Sequence, residues 1–422
     1  MHFDLKYGNG TLPLDLADSS ILDVVLPGEN SPIADPEAAV GAILKRPYGT
    51  PPLLEMLRKA APKKLLIVVN DITRPTPYAL LMPPLLRVIG EAGIPDSSIT
   101  LLTATGIHDP HSEEQNRQVY GEELCRRLKI VSHDATDKDK LVFKGKLPSG
   151  YDFWLNRLVD EADFLITIGV VMPHYFAGFS GGRKSILPGV AGKETVQKNH
   201  ARMVELMDNL PPIRQNPVSL EMIHAARIAG VDFILNVVAD DAGNLVEVVA
   251  GDLEEAWYKA VEISQSIYLT PIPRKADVAI AAASGYPRDI NLYQSQKALD
   301  HADKATKPGG TVIIVAECRD SYGEKVFEKF MNSGYTAEGI MAEVKAHFVM
   351  GGHKAYGFAK VAAEKKVIFV TSLSDKVVKS LFARKAATVQ EAVEMALADQ
   401  GAKAEFIVLP EGSVTVPFVA GE

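Results

Sequence analysis

Phe164-Leu165-Ile166-Thr167-Ile168-Gly169-Val170 is a short apolar run that leads through Val171-Met172-Pro173-His174 into the glycine-rich stretch Gly178-Phe179-Ser180-Gly181-Gly182-Arg183-Lys184-Ser185. A run of this length emptying into a loop, with a helical pattern after it, reads as one strand of a parallel sheet and its crossover. The same pattern recurs at Leu65–Val69, Ile99–Thr103, Phe233–Val238, Val278–Ala283, Val312–Ala316, Val367–Thr371 and Phe406–Leu409. These runs are rich in Val, Ile and Leu and lie further apart than hairpins need, so the expected fold class is α/β with mostly parallel sheets. Two helix starts are legible. Thr76-Pro77 offers a cap followed by proline at the first helical position, and Ser112-Glu113-Glu114-Gln115 has capping-box spacing.

The chain has 422 residues, 47% of them hydrophobic and 23% charged, enough for two cores. Thr270-Pro271-Ile272-Pro273-Arg274-Lys275 reads as a proline-stiffened connector. The expected division is therefore an N-terminal cofactor-anchoring α/β domain over residues 1–270, a linker at 271–275 and a C-terminal α/β domain over 276–405. The cofactor and substrate cleft is expected between the domains, with residues 406–422 returning to the first. Net charge is −8 and no basic run is interleaved with aromatics, so nucleic acid is not an expected partner. Cys125 and Cys318 are far apart and outside any paired metal spacing, which points to a reducing compartment. No apolar run approaches the roughly 18 residues needed to span a bilayer, and Met1–Lys6 lacks a signal pattern. A cytoplasmic protein with no membrane partner is expected.

Ligands of open parallel sheets bind outside the carboxyl ends of the strands. The loop after Leu65–Val69 carries Asp71 and Arg74, the loop after Ile99–Thr103 carries His108 and His111, and the loop after Phe164–Val170 carries His174 and Lys184. Asp71, Arg74, His108, His174 and Lys184 are thus expected on one edge. Each also has an ordinary reading: a turn cap for Asp71, a solvated charge for Arg74, a backbone-satisfying imidazole for His108. His111, one residue before a helix cap, reads as ordinary, and His200 in Lys193–His200 reads as helical. After Val278–Ala283, a second strand-to-helix loop carries Tyr293, Gln294 and Lys297. Tyr293 and Lys297 are four apart, on one helical face.

The glycines of 178–185 let backbone amides approach an anion, and Lys184 adds a charge or a nucleophilic amine. The segment meets the phosphate-loop pattern at Gly178, Lys184 and Ser185 but fails at Arg183, whose side chain is expected where phosphates need bare backbone. An ATP-dependent phosphotransferase and a non-catalytic carboxylate-binding protein stay open as alternatives. Two histidines with an arginine and a second-domain lysine suit a small carboxylate substrate: the cations bind it and the imidazoles exchange protons near neutral pH. Inverting a stereocentre needs competent groups on both of its faces. A carbon beside an ionised carboxylate is a poor acid, so hydride removal from a 2-hydroxy acid is the attractive route, and it requires an electrophilic cofactor.

Taken together, Asp71-Ile72-Thr73-Arg74-Pro75, Gly106-Ile107-His108, the stretch from Pro173-His174-Tyr175-Phe176-Ala177-Gly178 to Lys184, His200, and Tyr293-Gln294 with Lys297 resemble the nickel-dependent lactate racemase family of 2-hydroxyacid racemases and epimerases. The match runs in order through most of the chain. The resemblance implies an isomerase with a nickel pincer nucleotide, pyridinium-3,5-bisthiocarboxylic acid mononucleotide, made by dedicated cofactor-biosynthesis enzymes. It implies Lys184 as the covalent anchor through a thioamide, with Gly181, Gly182 and Asp71 beside the cofactor, and His200 as the protein ligand to nickel. It implies His108 and His174 as paired acid/bases, Arg74 and Lys297 as the carboxylate clamp, and Tyr293 and Gln294 as supporting substrate residues. The implied route is hydride transfer to the cofactor, a 2-keto acid intermediate, and hydride return to the opposite face. In lactate-specific members the resemblance implies a tryptophan within the segment that here reads Met350-Gly351-Gly352-His353-Lys354-Ala355-Tyr356. Gly-Gly-His-Lys in its place opens space and adds cations, which points to a larger or more polar 2-hydroxy acid, a dicarboxylate or sugar acid. A lysine simply facing solvent is the other reading of Lys354.

Overall fold

The computed structural model describes residues 1–28, 30–74, 76–240 and 243–420. Pro75 of the Asp71–Pro75 stretch and residues 421–422 of the C-terminal segment lie outside the described residues. The chain divides into two compact units, Asn30–Gln265 and a second made of Met1–Glu29 with Ser266–Glu422.

The Asn30–Gln265 unit is built on a six-stranded sheet in the order Leu245–Gly251, Phe233–Ala239, Phe164–Val170, Leu65–Asn70, Ile99–Ala104, Lys129–Ser132. All pairs are parallel except the first, where Leu245–Gly251 runs antiparallel to its neighbour. Every residue of Phe164–Val170 and of Leu65–Val69 is buried, as central strands covered on both faces require. Helices Pro36–Lys45 and Tyr78–Glu91 pack their Val40, Leu44, Leu81, Met82 and Leu85 against Leu65, Ile67 and Val69 in one core.

The other unit has a six-stranded sheet in the order Arg384–Ala386, Lys366–Val370, Thr306–Val315, Ala276–Ala282, Phe406–Leu409, Ile21–Val24, parallel throughout. Its core joins Val278, Ile280, Ile313, Ile368 and Val408 to Val389, Val393 and Ala396 of helix Val389–Gln400. Leu5 and Leu14, from the antiparallel hairpin His2–Tyr7/Gly10–Asp15, belong to the same core.

Three expectations are corrected here. Phe406–Leu409 does not return to the first domain. It pairs with Ala276–Ala282 on one side and Ile21–Val24 on the other, so the chain's first 28 residues lie in the same unit. The expected 271–275 linker begins as strand: Leu269–Ile272 pairs with Val416–Val419. Thr76 does not cap a helix, because its hydroxyl donates to Asn70 Oδ1 at 3.0 Å and helix Tyr78–Glu91 has no side-chain cap. The capping box at Ser112 and Gln115 is present in both directions. Among the described residues no helix is long and apolar enough to cross a membrane.

One buried side chain links this fold to pH. His133 is fully buried, its Nε2–H donating to Ala191 O at 3.0 Å and its Nδ1 accepting from Asn156 Nδ2 at 3.0 Å. Burial pushes its pKa from 6.5 down to about 4. Between those values the unfolded chain binds a proton that the folded chain does not. The stability is therefore fully present above pH 6.5 and falls as the pH drops toward 4. The expected loss from His133 alone is about 3 kcal/mol. Urea midpoints from pH 7 to 4 should fall along this limb, and His133→Gln should flatten it; an unchanged slope in the variant refutes the assignment.

Candidate functional site

Three adjacent parallel strands of the Asn30–Gln265 unit end on one edge, and their loops carry the residues singled out from the sequence. Asp71 is buried just past the end of Leu65–Asn70. Its Oδ1 accepts from the Thr73 amide at 3.2 Å and from the Thr73 hydroxyl at 2.6 Å, leaving Oδ2 for His108 Nδ1 at 2.7 Å. Burial works against the charged carboxylate, but the His108 and Thr73 hydrogen bonds outweigh it and Asp71 titrates below its ordinary value. A carboxylate only accepts, so the His108 proton lies on Nδ1 and the Nε2 lone pair of the neutral ring is left for chemistry. The His108 side chain is 54% exposed.

His174 has the opposite arrangement. The Ala177 amide donates toward its Nδ1 at 3.4 Å, which puts the proton of the neutral ring on Nε2. Burial, then the charges of Lys184 and Arg74, push its pKa well below 6.5. In their neutral forms one ring thus presents a proton acceptor and the other a hydrogen-bond donor.

Phe176 gathers the rest. Its ring is 4.7 Å from the His174 ring at 79°, 5.1 Å from the His200 ring at 69°, and 5.5 Å from Lys184 Nζ. Burial, then Arg74 and Arg183, push Lys184 well below the ordinary lysine value. Among the described residues its Nζ makes no hydrogen bond or ion pair. His200 lies on helix Lys193–Ala201 with Nδ1 buried and without a hydrogen-bond partner. Burial and then Lys184 bring its pKa down to about 3, against a small opposing pull from the Val196 carbonyl. A neutral imidazole with an unused lone pair suits a metal, and an uncharged amine suits acylation. The residues therefore fit a covalently anchored metal cofactor.

The loop itself corrects the phosphate-cradle expectation. Four of its amides are already used: Phe179 N donates to Ala177 O, Ser180 N to Met172 O, Gly182 N to Asn236 Oδ1 and Lys184 N to Gly181 O. Arg183 does not obstruct the loop from outside. It is fully buried, with Nη2 donating to Ala177 O at 2.8 Å and Ser219 Oγ at 2.9 Å, and with its guanidinium 3.6 Å from the centroid of the Trp257 ring. Gly181 and Gly182 are glycine for packing reasons. Both have positive φ, and an added Cβ would stand 2.5 Å from Asn236 Oδ1 at 181 and 2.9 Å from Trp257 Cδ1 at 182. Their contribution is to let the chain turn tightly into Lys184.

In the other unit, helix Leu292–Ala305 is capped by Asn291, whose side chain accepts from Gln294 N at 3.0 Å. Gln294 and Lys297 are exposed and Tyr293 is half-buried. Lys354 is not the solvent-facing lysine of the alternative reading. It lies on helix Gly352–Glu364, is 6% exposed, donates to Gln296 Oε1 at 3.0 Å and stands 5.1 Å from the Tyr293 ring. Burial and the neighbouring Lys297 bring its pKa down to about 7. His353, also buried, faces the Tyr293 ring edge-on at 6.0 Å. Phe176 was given no role of its own in the sequence reading, and Asn236 and Trp257 escaped it. An aromatic beside a histidine gave a signal for the first, and nothing local gave one for the others.

Residues 7–209 match the model of the lactate racemase N-terminal domain and residues 272–416 that of the lactate racemase C-terminal domain. The chain is 34% identical over 385 residues to the lactate racemase of Lactiplantibacillus plantarum, covering 87% of this chain and 88% of that one. It is 32% identical over 422 residues to the lactate racemase of Thermoanaerobacterium thermosaccharolyticum, covering 97% and 98%. The lactate racemase apoprotein structure from the latter organism superposes with a TM-score of 0.88 at 31% identity, over 99% of this chain and 100% of that one.

Proposed function

The chain belongs to the lactate racemase family and is a racemase, an isomerase; from that premise we propose that it interconverts the enantiomers of a 2-hydroxy acid on a nickel pincer nucleotide anchored at Lys184. The observation that carries the cofactor assignment is the meeting of His174, His200 and Lys184 around the Phe176 ring. His200 supplies the nickel ligand and Lys184 the amide-forming nitrogen of the thioamide link. When bound, the cofactor supplies an electrophilic centre that takes up hydride from the substrate and gives it back. The chain's own groups do the rest. Arg74 and Lys297 hold the substrate carboxylate, with Tyr293 and Gln294 beside it. His108 Nε2 takes the hydroxyl proton as the carbinol carbon is oxidised, and the 2-keto acid is the species common to both enantiomers. Hydride returned to the opposite face requires a proton on the new alkoxide, which His174, entering that step as the imidazolium, gives from Nε2 and so ends as the neutral ring. In the reverse direction the two exchange roles. Asp71 fixes the His108 tautomer throughout, as the orienting carboxylate of a base does.

Lactate is one candidate substrate. The burial of Lys354 beside Lys297 favours a second reading, a larger 2-hydroxy acid with a distal carboxylate or hydroxyl. An ammonium kept at the edge of neutrality by burial gains most from an incoming anion. Such a charge-assisted contact contributes roughly 1.5–3 kcal/mol, or about 10–150-fold in specificity. The test is a chiral assay on cofactor-loaded protein with a panel of 2-hydroxy acids. At least one dicarboxylate or sugar acid is expected to be turned over better than lactate, with Lys354→Ala selectively impairing it. Lactate as best substrate, with an unchanged ranking in Lys354→Ala, removes the distal-group reading and leaves lactate racemisation. Absence of racemisation across the panel by loaded protein counts against the proposed reaction.

A further inference from the structure

The residue that sequence reading dismissed as ordinary, His111, sits at the base of the His108 arrangement. Its Nε2 is 2.9 Å from the Ile72 amide. An amide can only donate, so Nε2 is the acceptor and the neutral ring carries its proton on Nδ1, 3.2 Å from Asn116 Oδ1 on helix Glu113–Tyr120. The His111 amide in turn donates to Ser132 Oγ at 3.2 Å, tying it to the end of strand Lys129–Ser132. The same helix sends Tyr120, whose hydroxyl donates to Asn70 O at 2.9 Å, and Tyr78 OH accepts from the Asn70 amide. Residues 70–72 are therefore clamped on both sides of Asp71, and the His111 bond is the only one of the three on the loop side.

We propose that His111 is a positioning residue for His108: by accepting the Ile72 amide proton it fixes the turn that aims Asp71 Oδ2 at His108 Nδ1. The sequence of contacts is Asn116 to His111, His111 to the Ile72 amide, Asp71 to His108. Without the acceptor the 72–74 turn keeps its internal bonds, from Thr73 to Asp71 Oδ1 and from the Arg74 amide to Asp71 O, but loses its tie to the neighbouring strand end, and Asp71 Oδ2 then no longer selects the Nδ1–H form of His108. A side chain that holds a base's orienting carboxylate acts on the catalytic step more than on substrate affinity, since small displacements of a proton acceptor are costly. The inference rests on His108 being a catalytic base, and its test separates the two ideas.

Full-length apoprotein labelled with ¹⁵N at histidine reports the His108 tautomer directly, and the loaded enzyme reports kcat and KM. His111→Ala is expected to shift the His108 nitrogens away from the Nδ1–H pattern and to lower kcat on the order of 10- to 100-fold with KM little changed. His111→Gln, whose Oε1 can take over the Ile72 amide and whose amide NH₂ can face Asn116, is expected to restore both. A His111→Ala protein that keeps the His108 tautomer and wild-type kcat overturns the proposal. So does a folded His111→Gln protein impaired in both readouts, which also covers an alanine variant that fails to fold. If His108→Ala itself turns over normally, the acid/base assignment fails instead, while the tautomer measurement still decides whether His111 positions the ring.

Discussion

Lys184→Ala and Lys184→Arg should each reduce racemisation to background, a loss on the order of 10⁶-fold or more, because they remove the attachment point of the group that does the chemistry. The alanine variant removes the nucleophile. The arginine variant keeps a cation of similar reach but cannot form the thioamide, so the two together separate the loss of charge from the loss of the link. The expectation rests on the state of the amine. Lys184 Nζ has no hydrogen bond or ion pair among the described residues, and burial with Arg74 and Arg183 nearby disfavours its ammonium form. Lowering its pKa makes the amine a better nucleophile than an ordinary lysine. Wild-type protein made in a host without the cofactor-biosynthesis enzymes should be folded, nickel-poor, of unmodified mass and inactive. Production alongside those enzymes should add nickel and a covalent adduct on the peptide containing Lys184. Robust racemisation by metal-free protein of unmodified mass would sink the cofactor reading, and so would full activity in either variant.

How far this site could be read in advance depended on which contacts are local. The strand ends were legible because each parallel strand is a short apolar run and the sheet edge collects the loops that follow. By that rule Asp71, Arg74, His108, His174 and Lys184 belong on one edge of the first sheet. The capping box at Ser112 and Gln115 was legible for the same reason, since both partners lie within four residues. The misreadings concern partners distant in sequence. Arg183 was expected to project into a ligand because nothing near it says that Trp257, Ser219 and the Ala177 carbonyl enclose it. The packing that requires glycine at 181 and 182, against Asn236 and Trp257, was likewise out of sight in the local sequence and stands beside their expected place next to the cofactor. The domain division failed at both termini, because Ile21–Val24 gives little periodic signal and its partner Phe406–Leu409 lies at the other end of the chain. His111 was passed over because its acceptor role depends on an amide thirty-nine positions away.

His108→Ala and His174→Ala should each lower turnover by about 10²–10⁴-fold, the range for a lost general acid or base, and each should do so in both directions of racemisation. The reasoning is in the tautomers. Asp71 holds the His108 proton on Nδ1 and so offers an acceptor at Nε2, while the Ala177 amide faces His174 Nδ1 and leaves its Nε2 toward the reacting oxygen, so that in each direction one ring takes a proton and the other, as imidazolium, gives one. A cycle that starts from either enantiomer removes a hydroxyl proton on one face and delivers one on the other, so both rings act in every turnover. A one-sided loss, with one enantiomer still consumed at a normal rate, would mean that a single base serves both faces. Asp71→Asn sharpens the test. It keeps the shape of the contact to His108 but lets the amide donate as well as accept, so the tautomer is no longer dictated. Its kcat should fall less than that of His108→Ala and its KM should stay near the wild-type value. His174, which among the described residues makes no hydrogen bond to Asp71, should keep the same hydrogen-isotope sensitivity in this variant. Near-normal turnover in His108→Ala or in His174→Ala would remove that residue from the pair, and a normal Asp71→Asn enzyme would leave His108 without the orienting carboxylate that makes it a base.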